Sequence, residues 1–366
     1  MSQARDLADL GSSAEAGTVT GESLIINGDM AVAQRGTSVS IAHDGNRNEF
    51  SPDRFLFNMN NAWDTLDGTV AQVSDAPEGF SNSLKWTTGT AESTVDSDEY
   101  YNITHKIEAQ NLQHLRYGTS DAKSVTVSFW VKASVTGTFC LSIYQADGVR
   151  NIASTYTINS ANTWEYKTVT FAGDTGGTIN DDNGEGLRLQ WHIAAGSDLT
   201  STDATSWGAY SGDRWAYGHA QNSIATTASA TFQLTGCKIE VGSTATPFQH
   251  ESYGENLAKC HRYFRKSEHV SGAGYHSFGT ATAFGSTTAS GSLYYGHMRT
   301  NPTLAQSGGN LYGAGGNHAI SALSTSYFGT ERAFVNITSS GLTSGYGYNW
   351  CGNNNTGAYV TMDAEL

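Results

Sequence analysis

The sequence predicts an all-β protein: a jelly-roll β-sandwich, then a short helix and a second, smaller β-sandwich domain, all preceded by an N-terminal arm. Three observations support this fold class. Apolar and polar residues alternate in short segments, most clearly over residues 124–133 (SVTVSFWVKA). Glycine, asparagine, aspartate and serine separate these segments, with 41 glycines against 4 prolines. Charged residues make up only 15% of the chain. Many short strands with such turns are typical of a sandwich or barrel.

Residues 1–22 are predicted to form a separate arm. Ala4, Leu7, Ala8 and Leu10 have the spacing of one or two helical turns, which Gly11 would end. The following SSAEAGTVTG is a linker of small residues. A segment this short does not fold alone. Two interpretations stay open: a disordered tail, and an attachment peptide that becomes ordered on a partner.

Residues 23–254 are predicted to form the jelly-roll domain. Its ten candidate strands are residues 54–58, 70–73, 83–86, 101–107, 124–133, 138–144, 155–158, 165–171, 186–193 and 230–241. In the last strand the apolar phase changes from even positions, such as Leu234, to odd ones, such as Ile239. Because Gly236 lies at the change, a β-bulge is expected there.

Two features of this domain are candidate glycan contacts. In the strand 186–193, Leu187 and its apolar neighbours share the inner face, and the polar residues share the outer face. The polar loop 196–229 carries large aromatic residues, which present flat apolar surfaces to sugars. The candidates are Arg188, Gln190, His192, Trp207, Trp215 and Tyr217. The alternative is that the loop aromatics pin long loops to the sandwich or lie in a subunit interface.

Residues 255–366 are predicted to form a linking helix and a C-terminal β domain. Apolar residues recur at helical spacing over 255–266 (ENLAKCHRYFRK). Candidate strands follow at residues 275–278, 282–284, 292–297, 332–337, 346–350 and 358–363. The domain is rich in aromatic and small polar residues, the mixture found in adaptable recognition surfaces. These aromatic residues are Tyr275, Tyr294, Tyr295, Tyr346, Tyr348 and Trp350.

Charge and composition exclude several classes of partner. The net charge of −14 would repel nucleic-acid phosphates and anionic lipids, so neither nucleic-acid binding nor membrane insertion is expected. The N-terminal residues contain neither a signal peptide nor an apolar membrane span, which predicts synthesis in a cytoplasm without secretion. The four cysteines are widely separated and are expected to be free, buried thiols.

No catalytic motif, cofactor motif or zinc-binding spacing is present, so no enzyme activity, cofactor or metal is predicted. The acidic stretch near residues 174–185 leaves two further alternatives open. Its carboxylates could bind calcium, although their spacing is not that of an EF-hand. Two of them could also form a glycosidase pair. The simplest interpretation is a solvated turn.

Several segments, in this order and spacing, resemble a module common in tail fibres and related structural proteins of tailed bacteriophages. They are LIINGDMAVAQRG (24–36), SPDRF (51–55), SLKW (83–86), VTVSFWVKASVTGT (125–138), WEYKTVTFAGDTGG (164–177) and GCKIEVGSTATPFQHESYGENLAKCHRYFRK (236–266). The ends, MRTNPTL (298–304) and AYVTMDAEL (358–366), resemble the small domain that often follows this module. The central segments are also similar to jelly-roll carbohydrate-binding modules.

The resemblance implies a non-catalytic tail fibre in the virion that adheres to host-surface polysaccharide or lipopolysaccharide as a homotrimer. ARDLADLG (4–11) is similar to N-terminal arms of fibre proteins, which implies attachment to other virion proteins through Arg5, Leu7 and Leu10. A head fibre, capsid decoration or tail adaptor is the main alternative, and a polysaccharide depolymerase is the third.

The related carbohydrate-binding modules often hold a structural calcium with an acid soon after the opening NGD and acids in the closing strand. Here Met30 and Ala31 follow Asp29, and the closing strand offers only Glu240. This departure argues against the calcium site.

Overall fold

A computed structural model describes residues 21–60, 62–270, 274–313 and 315–366. The protein is mostly β-structure arranged in antiparallel sheets, and the all-β prediction is confirmed. The chain divides into two compact units: the first contains the described residues up to Asn256 together with Leu366, and the second contains the described residues of Leu257–Glu365. This division lies two residues beyond the boundary expected from the sequence. Each unit is described separately below.

The first unit is a sandwich of two antiparallel sheets. Its strands are β1 (Ser38–Ile41), β2 (Arg47–Phe50), β3 (Phe55–Met59), β4 (Gly68–Val73), β5 (Ser83–Thr88), β6 (Tyr100–Glu108), β7 (Val125–Ala133), β8 (Gly137–Gln145), β9 (Arg150–Ile158), β10 (Glu165–Phe171), β11 (Glu185–Ala195), β12 (Gly208–Ala209) and β13 (Thr231–Val241). The six-stranded sheet has the order β1-β4-β5-β13-β7-β10. The seven-stranded sheet has the order β12-β9-β8-β11-β6-β3-β2.

The core of this unit lies between the two sheets and follows the predicted alternation. On β7, Val127 and Phe129 are fully buried, and on β11 Trp191 is fully buried as well. Phe57 of β3 stacks on Trp86 of β5 with ring centroids 4.7 Å apart. Truncating a buried ring of this kind to alanine typically costs about 3–5 kcal/mol. The apolar phase of the strands therefore fixes which residues face outward, and the candidate site lies on such an outward face.

All ten strands predicted for this unit are present, and three more were not predicted. The unpredicted strands β1, β2 and β12 are short, with two to four residues each. Each of them lies at an edge of its sheet. At an edge, the hydrogen bonds offered by the neighbouring strand specify the pairing more than the sequence of the short strand itself does. Strand β9 begins at Arg150, five residues before the predicted start. The loop 196–229 includes one turn of helix, α1 (Ser223–Thr226).

The predicted bulge in β13 is confirmed. The register of β13 against β7 shifts between Thr235 and Lys238, and Gly236 has a φ of +60°. A positive φ costs little for glycine and is strained for other residues. The bulge keeps Leu234 and Ile239 buried in the same core although they lie an odd number of residues apart.

Helix α2 (Tyr253–Cys260) is shorter than the predicted helix over 255–266, and the second half of that prediction is wrong. Ser252 and Glu255 form a reciprocal capping box at its start: the Ser252 backbone N–H donates to the Glu255 carboxylate at 3.0 Å, and the Glu255 N–H donates to Ser252 Oγ at 3.3 Å. After Cys260 the chain turns and enters strand β14 (Phe264–Glu268), which pairs with the last strand of the chain. Strand pairing overrides the helical period there.

The second unit contains two sheets. Its further strands are β15 (Ser277–Ala283), β16 (Thr288–Tyr294), β17 (Thr303–Ser307), β18 (Asn310–Gly313), β19 (Gly316–Ala319), β20 (Ala322–Phe328), β21 (Arg332–Thr338), β22 (Gly347–Cys351) and β23 (Tyr359–Asp363). The three-stranded sheet has the order β14-β23-β17, and the seven-stranded sheet has the order β19-β18-β22-β15-β16-β21-β20. Leu311, Val335 and Trp350 contribute to a separate core.

The aromatic residues predicted to form a recognition surface in this unit divide into two groups. Tyr295, Tyr348 and Trp350 are buried, whereas Tyr275, Tyr294 and Tyr346 are exposed.

The four cysteines are free and buried, as predicted. Within the described part of the chain, no helix has the length and apolar character needed to cross a membrane.

Candidate functional site: an aromatic groove on the six-stranded sheet

The polar outer face expected on β11 is covered, which corrects the expectation of an open surface. The indole N–H of Trp215, in the loop 196–229, donates to Gln190 Oε1 at 2.5 Å. The Trp215 ring also lies edge-on to His192, with centroids 5.2 Å apart. Gln190, His192 and Trp215 are all buried. Burial lowers the pKa of His192 well below its usual value, so its imidazole is neutral.

The other three predicted contacts are partly exposed but do not converge. Arg188 donates to Glu185 at 2.8 Å and lies 5.2 Å from the ring centroid of Tyr144. Trp207 donates from its indole N–H to a backbone carbonyl at 2.7 Å and packs against the core. Tyr217 packs on a small satellite cluster of buried residues. The role of these residues in glycan binding stays a prediction, and Arg5, Leu7 and Leu10 lie outside the described residues.

An aromatic groove of about 540 Å³ lies on the outer face of the six-stranded sheet. Strand residues Trp130, Tyr166 and Gly236 line it, and the loop residues 78–80 and 245–248 together with His250 border it. We call this surface the aromatic groove. Its position was not predicted, although its residues were visible in the sequence.

The two strand-borne rings of the groove form a fixed pair. Trp130 of β7 and Tyr166 of β10 are directly opposite each other in the antiparallel register, so their side chains project from the same face. Their ring centroids are 5.4 Å apart with an interplanar angle of 51°. Tyr166 is 44% exposed. The sequence signal was a tryptophan in the outward phase of a strand whose other phase is apolar.

A second group of rings, from the loops, borders the groove. Phe80, Phe248 and His250 contact one another with centroids 4.9 to 5.1 Å apart. Gly236 separates them from the strand-borne pair: a Cβ there would lie 2.8 Å from Phe80 Cζ and 3.0 Å from Trp130 Cδ1. Because residue 236 is a glycine, Phe80 of the loop rings and Trp130 of the strand-borne pair can both lie close to the backbone of β13.

Polar residues of β13 hold both bordering loops in place. Thr235 Oγ1 donates to the carbonyl of Asn82 at 2.7 Å in the loop that carries Phe80. The buried Lys238 ammonium lies 3.2 Å from the Glu240 carboxylate and donates to the carbonyl of Pro247 at 3.2 Å. Glu240 in turn accepts the backbone N–H of Thr246 at 2.7 Å. The groove is therefore preorganised, because its loops are bonded to the sheet beneath them.

A charged cluster lies on the same face of β7, two residues from Trp130. The Lys132 ammonium bonds to the Asp75 carboxylate and lies 5.1 Å from the ring centroid of Trp164. The hydrogen bond from Lys132 lowers the pKa of Asp75, so the carboxylate is ionised and neutralises the lysine.

The calcium site implied by the resemblance does not fit these residues. Glu240 is already bonded to the buried Lys238 ammonium, a cation that takes up the charge of the carboxylate. Asp29 accepts a hydrogen bond from the side chain of Asn256 at 3.0 Å, so one of its oxygens is already engaged.

The acidic stretch forms separate pairs rather than one cluster. Asp174 bonds to Arg150 at 2.7 Å, and Glu185 lies 3.2 Å from Lys106. Over the described ranges, no three or more His, Cys, Asp or Glu side chains are grouped as metal ligands.

No family model and no curated protein matches this chain. Among solved structures it is similar to the enzymatically active domain of tailspike protein 4 of bacteriophage CBA120, with 11% identity, 60% of this chain covered and a TM-score of 0.31. That match spans 21% of the tailspike chain.

It is also similar to a CBM4 structure (14% identity, 59% of this chain, 99% of that chain, TM-score 0.29). A further similar structure is a family 11 carbohydrate-binding module from Clostridium thermocellum in complex with a β-1,3-1,4-mixed-linked tetrasaccharide. The identity is 12%, the match covers 54% of this chain and 91% of that chain, and the TM-score is 0.28. TM-scores this low say nothing about the function of this chain. What the groove can bind follows from its own residues and geometry.

Proposed function

We propose that this protein binds glycans through the aromatic groove without cleaving them. The observation that carries the proposal is the outward-facing Trp130–Tyr166 pair, held by strand pairing and joined by the three loop rings. The C–H faces of a pyranose pack on aromatic rings, and large partly exposed rings grouped in a concavity mark binding sites.

The size and chemistry of the groove suit an oligosaccharide. A volume of about 540 Å³ lies within the range of small-molecule sites. The polar side chains at its border, Glu78 and His250, can exchange hydrogen bonds with sugar hydroxyls. Because the loops are anchored to β13, little ordering entropy is lost on binding.

Binding without cleavage is proposed because the groove lacks the pair of acids that glycoside hydrolysis requires. Among the described residues that line it, Glu78 is the one carboxylate. Retaining and inverting glycosidases use two carboxylates roughly 5 to 9.5 Å apart. Incubation with the bound polysaccharide, followed by an assay for new reducing ends, tests this. No new ends are expected, and their formation would support a depolymerase instead.

The biological setting rests on the sequence resemblance. We propose a tail fibre of a tailed bacteriophage, attached to the virion through residues 1–22 and adhering as a homotrimer to host-surface polysaccharide or lipopolysaccharide. Several weak glycan sites on one trimer would bind a cell surface by avidity. Localisation of the protein on particles by electron microscopy separates a tail fibre from a head fibre or capsid decoration.

A glycan array followed by calorimetric titration tests the binding proposal. Tyr166→Ala and Trp130→Ala are expected to weaken binding of the selected oligosaccharide at least tenfold, which corresponds to about 1.4 kcal/mol. Tyr253→Ala is the matched control, because Tyr253 is 58% exposed and lies outside the groove. Unchanged affinity in both groove variants, with wild-type thermal stability, would contradict the proposal.

A further inference from the structure

A second concavity lies within the smaller unit, on the seven-stranded sheet. It has a volume of about 440 Å³ and is lined by side chains from β16, β20 and β21 and by the β20–β21 turn. Two rings that are directly opposite each other in the β20–β21 register share this face and are open to solvent: Tyr327 is 76% exposed and Phe334 41%. Two large aromatic rings side by side are unusual for a face that stays in water.

Arg332 supplies a positive charge to this cavity. Its guanidinium lies 5.8 Å from the ring centroid of Tyr294, and its Nη1 donates to the Tyr294 hydroxyl at 3.0 Å. Among the described residues it has no carboxylate within ion-pair distance, and the adjacent Glu331 is directed to His297, 3.6 Å away. A guanidinium offers five donors, so donors remain for a ligand.

The combination of groups defines the chemistry of the ligand. A guanidinium with no carboxylate partner in the described part of the chain, on a protein with a net charge of −14, favours an anion. Arginine binds a carboxylate through two parallel hydrogen bonds. The exposed rings beside it favour a ligand whose other face is flat and apolar, as the C–H face of a pyranose is.

We propose that this cavity binds a carboxylated sugar unit of an acidic polysaccharide. Arg332 binds the carboxylate, and Tyr327 and Phe334 pack against the sugar ring. The site is separate from the aromatic groove, where Lys132, two residues from Trp130, is already neutralised by Asp75. The inference therefore does not depend on the proposed function of the groove.

The test titrates the full chain with trigalacturonate, a glucuronate-containing disaccharide and sialyllactose, and with the methyl ester of whichever probe binds. At least one acidic probe is expected to bind, with its methyl ester at least tenfold weaker. Arg332→Gln is expected to reduce binding at least tenfold, and Arg332→Lys less, because lysine keeps the charge without the paired hydrogen bonds. Phe334→Ala should also weaken binding.

Two controls separate this site from the groove and from nonspecific charge. Arg116→Gln, an exposed arginine paired with Asp121 in the first unit, is expected to leave binding unchanged. Trp130→Ala should also leave binding of the acidic probe unchanged. The experiment can therefore contradict the proposal for this cavity without contradicting the proposal for the aromatic groove, and the reverse. Thermal unfolding verifies that each variant folds.

Four outcomes would overturn the inference. They are no binding of any acidic probe, equal affinity for acid and methyl ester, wild-type affinity in Arg332→Gln, and full competition by equimolar inorganic phosphate. Dissociation of an oligomer by Phe334→Ala in sedimentation, without binding of an acidic probe, would assign the cavity to self-association instead.

Discussion

Lys238 is a fully buried lysine whose ammonium is matched by one carboxylate. Its side chain is 0% exposed and that of Glu240 2%, and both bond to the 246–247 segment that borders the groove. A buried pair of this kind contributes little relative to an apolar pair, but loss of one partner leaves an uncompensated charge.

Lys238→Met is therefore expected to destabilise the first unit by roughly 3–5 kcal/mol, because Glu240 stays buried without its cation. The double variant Lys238→Met/Glu240→Leu should recover most of this loss. Urea unfolding of the wild type, of the single variants Lys238→Met and Glu240→Leu, and of the double variant measures the coupling. Additive costs of the two single changes would show that the residues do not act as a pair.

Glu99 is a buried acid with an unusual titration. Burial, with the nearby charges of Glu92 and Asp96, raises its pKa to about 7. The folded protein therefore holds a proton that the unfolded chain releases near pH 4.3. Between these values the folded state binds more protons, so this group makes stability fall as pH rises, and the loss is complete above pH 7.

Glu99→Gln is expected to remove this dependence and to stabilise the protein at pH 8 by roughly 1–3 kcal/mol, with little change at pH 4. Thermal or denaturant unfolding at the two pH values measures the difference. An equal effect of the substitution at both values would place the pKa of Glu99 near its ordinary range.

At the scale of elements, strand periodicity accounts for much of the fold but not for the site. The alternation in β7 and β11 identified their inner and outer faces correctly. It did not show that the loop 196–229 covers Gln190 and His192, because that contact depends on Trp215 folding back from a distant segment. The groove likewise needs two loops bonded to β13, and such long-range side-chain contacts leave no periodic signal.

Trp215→Phe tests the supporting role of that loop. The change removes the N–H that donates to the buried Gln190, so about 1–3 kcal/mol of destabilisation is expected. Glycan affinity should stay unchanged, since Trp215 is not part of the groove. A loss of affinity at wild-type stability would instead support the sequence-based prediction that Trp215 contacts the ligand.

Gly236→Ala tests the bulge of β13. Two costs are expected together: backbone strain at φ +60° and a clash with Phe80 and Trp130. Gly242→Ala is the matched control, with a positive φ of +111° and no atom within 4 Å of an added Cβ. The Gly236 variant should lose more stability, by about 1–3 kcal/mol, and bind glycan more weakly. Equal effects in both would show that close approach of the rings is unimportant.

At the scale of the whole molecule, two all-β units each present partly exposed aromatic rings in a concavity. The first places its rings on anchored loops and paired strands, and the second places them beside the Arg332 guanidinium. Sequence composition predicted the acidic, strand-rich chain, and the expectation that it binds no nucleic acid stays a prediction. It did not locate these cavities, because each is formed by residues from separated segments of the chain.

We expect a glycan to bind in the aromatic groove. A crystal structure of the full chain with the oligosaccharide selected on the array tests this most directly. A sugar ring packed on Trp130 or Tyr166, between the loops that carry Phe80 and Phe248, is expected. A glycan bound only elsewhere on the first unit, with the groove unchanged, would contradict it.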